Sequence, residues 1–205
     1  MMPSSAPITL AIDTAAPRLQ LALLMADGTS DVSVDEIGTG HAELIFARIE
    51  TLLARNGLAY GDLQRLAVTT GPGSFTGLRI GLSAARGVAL ARSIPVVGVP
   101  SLLALSLSGE AARSVCVLVD ARRGEAYFQA FSAPGVPEGP ARLMTMEAAR
   151  AAVRPDCVLI ETPFVDIVHV ARFAASADPV AFAPEAAYIR DADAKPQTNK
   201  RIARL

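Results

Sequence analysis

The sequence predicts an α/β fold built from two units, and three observations support this. Short apolar strands alternate with helical stretches, a second series of the same kind begins near Ser114, and 51% of the residues are hydrophobic, enough for a sizeable core. The length of 205 residues suits two domains of about 100 residues each. We place the boundary around Leu107–Arg113, which gives domains of residues 1–107 and 108–205. The second is smaller, and we expect its last residues to pack back on the first.

The first unit begins with three strands joined by short turns. Residues 8–13 form an apolar run that ends in Asp-Thr, Leu19–Met25 is a second apolar run, and Asp27-Gly28 is a hairpin signal before the alternating stretch Ser30–Ile37. A helix, a strand, a helix and a strand follow, predicted at His41–Arg55, Leu66–Thr70, Thr76–Arg92 and Ile94–Val99. This order is that of a ribonuclease-H-like unit.

The second unit repeats part of this order. Two strands are predicted to pair across the turn Arg122-Arg123-Gly124, and a helix capped by Thr145 and two further elements follow. The predicted bounds are Val115–Asp120 and Glu125–Phe131 for the paired strands, Thr145–Ala152 for the helix, Cys157–Glu161 for a strand and Pro163–Ala175 for a last helix.

The charge balance argues against direct, phosphate-based binding of nucleic acid. The net charge is −1, and only residues 195–205 are locally basic, so in a nucleic-acid pathway another component would do most of the binding. The N-terminus has no basic region followed by an apolar stretch, and no run reaches about 18 uninterrupted apolar residues. We therefore expect a cytoplasmic protein that does not enter a membrane.

Few residues are suited to catalysis. Cys116 and Cys157 are far apart and lack metal-ligand spacing, so they are expected to be small core residues. Nothing in the sequence brings His41 and His169 together, and Ser74 has no obvious base. The sequence therefore predicts no catalytic residues, no metal ligands and no cofactor of its own.

A glycine-rich run, Gly71–Gly81 (GPGSFTGLRIG), lies between a predicted strand and a predicted helix. α/β proteins often bind anions at such a place, because the helix N-terminus offers unpaired N–H groups. The run is neither a P-loop nor GxGxxG, so a tight turn with close helix packing is the alternative. Asp13 at the end of the first strand is either a second phosphate contact or an ordinary turn residue. The candidate phosphate contacts are Asp13, Thr14, Gly71, Gly73 and Ser74.

The helix after this run carries small residues at every fourth position. Gly77, Gly81, Ala85 and Ala89 therefore share one face, where another backbone can approach closely. That face either packs within its own domain or is covered by a partner. Together with the helix His41–Arg55, it forms a predicted two-helix docking surface. Its candidate residues are Ile45, Ile49, Leu52, Gly77, Arg79, Gly81, Leu82, Ala85, Arg86 and Ala89.

The run GPGSFTGLRIGLSAARGVA (Gly71–Ala89) closely resembles the signature of the TsaB family, also called YeaZ. Weaker matches occur in the right order along most of the chain, in ITLAIDTA, HAELIFARIETLLARNGL, IPVVGVPSLLAL, VLVDARRGEAYFQAF and AAYIRDADAKPQ. Residues 135–183 match least well. The resemblance implies two ribonuclease-H-like domains of the actin-like ATPase (ASKHA) superfamily.

The resemblance also implies a function. Members of this family pair with TsaD, a metal- and ATP-binding relative, and with the ATPase TsaE, to form N6-threonylcarbamoyladenosine in tRNAs that read codons beginning with A. They are not expected to be enzymes themselves, since ATP and metal belong to the partner subunits and contact with tRNA is indirect. The helices His41–Arg55 and Thr76–Arg92 would bind TsaD or, in its absence, a second copy of the chain.

One departure from TsaD supports a non-catalytic role. TsaD carries a His-x-x-x-His pair on a helix after the strand that corresponds to Ile94–Val99, and Ser101 and Leu105 stand at those positions here. Leu105 cannot bind a metal. Two other functions remain open: a small ATP-dependent enzyme of the actin-like or sugar-kinase type, and a metallopeptidase.

Overall fold

The computed structural model describes residues 6–187 and residue 189, and its first half forms a five-stranded sheet. The strands are β1 (Thr9–Asp13), β2 (Leu19–Leu24), β3 (Ser30–Asp35), β4 (Arg65–Thr69) and β5 (Val96–Val99), arranged in the order β3-β2-β1-β4-β5. β1, β2 and β3 are antiparallel neighbours, whereas β1, β4 and β5 run parallel. The predicted strands of this half are therefore confirmed.

Two helices cover one face of this sheet: α1 (His41–Arg55) and α2 (Phe75–Arg92). The apolar stripe of α1 is buried, as its spacing predicts, and Gly57 ends the helix with a positive φ of 69°. A single 3₁₀ turn, Tyr60–Asp62, connects α1 to β4. Ser74 caps α2, because its side chain accepts a hydrogen bond from the Gly77 amide.

The second half forms another five-stranded sheet. Its strands are β6 (Val115–Arg122), β7 (Glu125–Ala133), β8 (Val136–Pro137), β9 (Arg142–Thr145) and β10 (Val158–Ile160). The order is β10-β6-β7-β8, and β9 also pairs with β7. The helix α4 (Met146–Ala151) packs on the outer face of this sheet. β8 and β9 were not predicted, because they are short and largely exposed and therefore show no apolar alternation.

Two helices lie between the sheets: α3 (Ser101–Ser106) and α5 (Ile167–Ser176). Although α5 belongs to the second half of the chain, it packs against β1 and β2 of the first sheet. Arg65 at the start of β4 ties the end of α5 to this sheet, since its Nη1 donates to the carbonyls of Ala174 at 2.6 Å and Ala177 at 2.7 Å. The molecule therefore has alternating layers of helices and sheets.

The segment 178–187 also returns to the first sheet. The Gly98 amide of β5 donates to the Phe182 carbonyl at 2.8 Å, and the Ala187 amide donates to the Thr70 carbonyl at 2.8 Å. The predicted packing of the last residues falls on 190–205, which lie outside the described residues. The division of the chain at residue 107 remains a prediction. Among the helices that the structure describes, none is both long and apolar enough to cross a membrane.

Candidate functional site

A groove of about 480 Å³ runs between α1 and α2 on the surface away from the sheet. Two aromatic side chains flank it, Phe46 of α1 with 48% of its surface exposed and Phe75 of α2 with 51% exposed. The guanidinium group of Arg79 stacks on the Phe75 ring, 3.8 Å from its centroid. Small and aliphatic side chains complete the lining: Ala42, Ile45, Ile80, Ser83 and Ala84, together with Thr76. An exposed apolar groove with aromatic rims is typical of a surface that binds another protein.

The predicted docking residues do not line this surface as a set. Eight of the ten are buried within the chain's own core, namely Ile45, Ile49, Leu52, Gly77, Gly81, Leu82, Ala85 and Ala89. Of these, only Ile45 reaches the groove. Arg79 and Arg86 are exposed. Of the two alternatives that the sequence left open for the small-residue face of α2, the structure shows packing within the chain, and binding of a partner through these two helices stays a prediction.

The physical reason lies in the loop that follows β1. A Cβ atom added at Gly77 would lie 1.9 Å from the Thr14 carbonyl oxygen, and one added at Gly81 would lie 2.5 Å from Thr14 Oγ1. The Thr14 hydroxyl in turn donates to the Gly77 carbonyl at 2.7 Å. These positions require glycine because the chain's own loop, rather than a partner, approaches α2 at this face.

The glycine-rich turn before α2 packs on the same loop. The Ser74 amide donates to the Ala15 carbonyl at 2.7 Å, and a Cβ atom at Gly73 would lie 2.7 Å from that oxygen. Gly71 is buried with φ of 106°, and the Gly71–Pro72 peptide bond is cis. The N-cap amide of α2 thus donates to an oxygen of the chain's own loop, which agrees with the alternative of a tight turn with close helix packing rather than with a phosphate site.

Asp13 is the most deeply buried carboxyl group near this turn, with 1% of its surface exposed. It accepts hydrogen bonds from Thr69 Oγ1 at 2.5 Å, the Ala15 amide at 3.1 Å and Gln20 Nε2 at 3.2 Å. Burial raises the pKa of the carboxyl group above its ordinary value, against the lowering effect of these hydrogen bonds and of His41. The oxygens of Asp13 are therefore occupied by groups of the same chain. Thr14, also 1% exposed, uses its hydroxyl within the fold as well.

A cleft of about 400 Å³ separates the glycine-rich turn from the second sheet. Of the predicted phosphate contacts, Gly73 and Ser74 line it, whereas Asp13, Thr14 and Gly71 do not. The opposite wall includes Arg122 and Tyr127 of the β6–β7 hairpin. Prediction from sequence missed this wall, since only the chain fold brings the hairpin next to residues 73 and 74.

The positions that correspond to the metal-binding pair of TsaD are both buried. Ser101 begins α3 and Leu105 lies one turn later, in the apolar core between the sheets. His41 contacts the Arg18 carbonyl with Nε2 at 3.2 Å, and His169 lies beside Asp166. Within residues 6–187 and 189, no three His, Cys, Asp or Glu side chains are grouped so that they could hold a metal ion.

Two five-stranded sheets with helices between and outside them, and a cleft between the halves, define this chain as an α/β protein of two similar halves. A family model described as "TsaD: tRNA N6-adenosine threonylcarbamoyltransferase" matches residues 35–134, which include α1, α2 and α3. YeaZ from Pseudomonas aeruginosa has a similar structure, with a TM-score of 0.73 and 21% identity over 89% of this chain and 99% of that one.

Curated sequences indicate which family the chain resembles. The chain is 36% identical over 122 residues to the tRNA threonylcarbamoyladenosine biosynthesis protein TsaB of Escherichia coli (strain K12), and 34% identical over 119 residues to TsaB of Bacillus subtilis (strain 168). Each match covers 58% of this chain and 52% of the relative, so the chain spans about half the length of these relatives. Over the matched part, the chain resembles the TsaB (YeaZ) family.

Proposed function

We propose that this chain is a cytoplasmic, non-catalytic subunit that binds TsaD, together with TsaE, in the formation of N6-threonylcarbamoyladenosine in tRNAs that read codons beginning with A. Its contribution is to stabilise and activate TsaD. ATP and metal are bound by the partner subunits, contact with tRNA is indirect, and the chain pairs with a second copy of itself when TsaD is absent.

The observation that carries this proposal is the exposed groove between α1 and α2. Its aromatic rims leave Phe46 and Phe75 half exposed, which costs solvation free energy unless a partner covers them. The relatives named above act, by their names, in the biosynthesis of tRNA threonylcarbamoyladenosine. With a net charge of −1 and a locally basic stretch only at residues 195–205, the chain is best explained as a partner of a nucleic-acid-binding subunit.

The alternative, a small ATP-dependent enzyme, is less well supported by the same geometry. Such an enzyme would hold phosphate groups with Asp13 and the turn Gly71–Gly77. Here the carboxyl group of Asp13 is buried under three hydrogen bonds, and the turn packs on Ala15. A metallopeptidase would need a ligand set, and the described residues provide no candidate for one.

The proposal is tested by a single substitution in the groove, Ser83→Arg. Ser83 is exposed and lines the groove, so an arginine there fills it without disturbing the core. We expect Ser83→Arg to unfold at the same temperature as the wild type and to weaken binding to TsaD at least about 100-fold, measured by calorimetry with purified TsaD and TsaE.

The matched control introduces an arginine on the second sheet, outside the groove. Ser132 is an exposed serine on β7 of the second sheet, so Ser132→Arg is expected to bind TsaD as the wild type does. Binding that survives Ser83→Arg, or that Ser132→Arg weakens equally, would contradict docking through this groove. Tight binding of Mg-ATP to the isolated chain, abolished by Asp13→Ala, would instead favour the ATP-dependent enzyme.

A further inference from the structure

The buried carboxyl group of Asp13 lies where both helices of the groove begin. Asp13 ends β1, and the loop that follows it reaches α1, since the Arg18 carbonyl lies 3.2 Å from Nε2 of His41, the first residue of α1. The loop that follows Asp13 contacts the first turn of α2. The loop that begins at this buried carboxyl group therefore contacts the starts of both α1 and α2.

Three donors from three different places fix the carboxyl group. Thr69 at the end of β4 and Gln20 in β2 hold it from the two neighbouring strands, at 2.5 Å and 3.2 Å. The third donor, the Ala15 amide at 3.1 Å, comes from its own loop. The last bond closes a turn of the Asx type, in which an aspartate side chain accepts from the backbone two residues on.

This turn presents its backbone and side chains to α2. With Ala15 held by Asp13, the Ala15 carbonyl accepts from the amide of Ser74, the N-cap of α2, at 2.7 Å. Thr14 Oγ1 donates to the carbonyl of Gly77 one turn into the helix, at 2.7 Å. Between these two contacts lie Phe75 and Thr76, which line the groove. A change in the turn must therefore move the part of α2 that forms the groove.

We propose that Asp13 is a positioning residue of the groove: its carboxyl group fixes the turn Asp13–Ala15, and the turn sets where α2 begins relative to α1. The inference rests on the proposed function, because it concerns the same groove. It assigns to Asp13 a role in placing a docking surface, whereas the sequence left open a phosphate contact or an ordinary turn residue at this position.

The test compares Asp13→Ala with Asp13→Asn. Asparagine keeps an oxygen that can accept from Thr69 and from the Ala15 amide and loses only the bond from Gln20, whereas alanine removes all three bonds. In Asp13→Ala we expect amide hydrogen exchange at Ser74 and Gly77 to be about tenfold faster and affinity for TsaD to fall about tenfold. In Asp13→Asn both quantities are expected to stay within about twofold of the wild type.

A core substitution far from the groove shows how much of the effect a general loss of stability would cause by itself. Val117 is fully buried in β6 of the second sheet, and Val117→Ala is expected to lower the melting temperature while leaving exchange at Ser74 within about twofold of the wild type. If Asp13→Ala does not fold, Thr69→Val removes one of the three donors, and faster exchange confined to the start of α2 is expected there too.

The outcomes keep the two proposals apart. Wild-type protein that does not bind TsaD overturns the proposed function, while the exchange measurements still test the role of Asp13. Unchanged exchange at Ser74 and Gly77 in Asp13→Ala overturns the positioning role, and so does an Asp13→Asn variant that behaves like Asp13→Ala. An equal loss of binding in Val117→Ala at an equal loss of melting temperature overturns it as well.

Discussion

The two faces of α2 differ in what they contact. The inner face carries Gly77, Gly81, Ala85 and Ala89 and lies against the first sheet and the loop after β1. The outer face lines the groove shared with α1 and includes Phe75, Thr76, Arg79 and Ser83. Both faces contain small residues, yet only the inner face is packed against the chain's own backbone.

The difference shows that a row of small residues indicates close approach without saying what approaches. On α2 the approaching group is the Thr14 carbonyl, which leaves no room for a Cβ atom at Gly77. On the outer face, Gly87 has no atom within 4 Å of a Cβ position. The same residue type is therefore required at one position of the helix and replaceable at another.

The largest expected effect follows from exchanging these two glycines for alanine. Gly77→Ala places a methyl group 1.9 Å from the Thr14 oxygen, so backbone must move, and we expect a loss of about 3 kcal/mol in the free energy of unfolding. Gly87→Ala is the matched control in the same helix and should gain about 0.5–1 kcal/mol from helix propensity. Urea unfolding at 25 °C measures both, and equal effects would contradict the distinction between the faces.

The comparison also shows how far the sequence could predict the fold. The strands β1 to β7 and the helices α1 and α2 follow from apolar periodicity and from turn signals such as Asp27-Gly28, because these signals are local. α3 was not predicted, although SLLALS is apolar: a buried run of six residues does not distinguish a helix from a strand.

The candidate site was less predictable, because it depends on contacts between distant residues. The glycine spacing located α2 as the important helix, but Thr14 and Gly77 are 63 residues apart, and no pattern in either segment shows that they meet. The two exposed aromatic residues that flank the groove, Phe46 and Phe75, were not predicted, because a phenylalanine in an amphipathic helix is usually a core residue.

The second prediction tests whether the groove beside the outer face of α2 binds TsaD. Phe46→Ala removes half-exposed apolar surface from the rim of the groove, so we expect binding to TsaD to weaken about 30-fold, or about 2 kcal/mol. The free energy of unfolding should change by less than about 1 kcal/mol. Leu159→Ala, another partly exposed apolar residue but in β10, serves as the control and should bind normally. A loss of stability as large as the loss of binding would place Phe46 in the core rather than on a docking surface.

The third prediction concerns how the free energy of unfolding depends on pH through Asp13, whose loop packs on the inner face of α2. Burial raises the pKa of Asp13, so the folded state holds this proton more tightly than the unfolded state, whose aspartate titrates near pH ~4. The stabilising contribution is present below that pH and is lost as pH rises through the folded pKa.

The measurement is the difference in unfolding free energy between Asp13→Asn and the wild type from acid to neutral pH. Relative to the wild type, Asp13→Asn should become more stable as pH rises above ~4 and should then level off. A difference that moves in the opposite direction would mean that the hydrogen bonds from Thr69, Ala15 and Gln20 outweigh burial.

The smallest expected effect is that of Arg86→Gln, a substitution at the border between the two faces of α2. Nη2 of Arg86 donates to the Pro184 carbonyl, so this exposed side chain is held by the chain's own segment 178–187 and does not line the groove. Arg86→Gln should lower the free energy of unfolding by about 0.5 kcal/mol and leave affinity for TsaD unchanged, whereas Arg79→Gln, within the groove, should weaken binding. Calorimetry on the two variants decides the border: if Arg86→Gln weakens binding as much as Arg79→Gln, the docking surface extends over Arg86 to the segment that holds it.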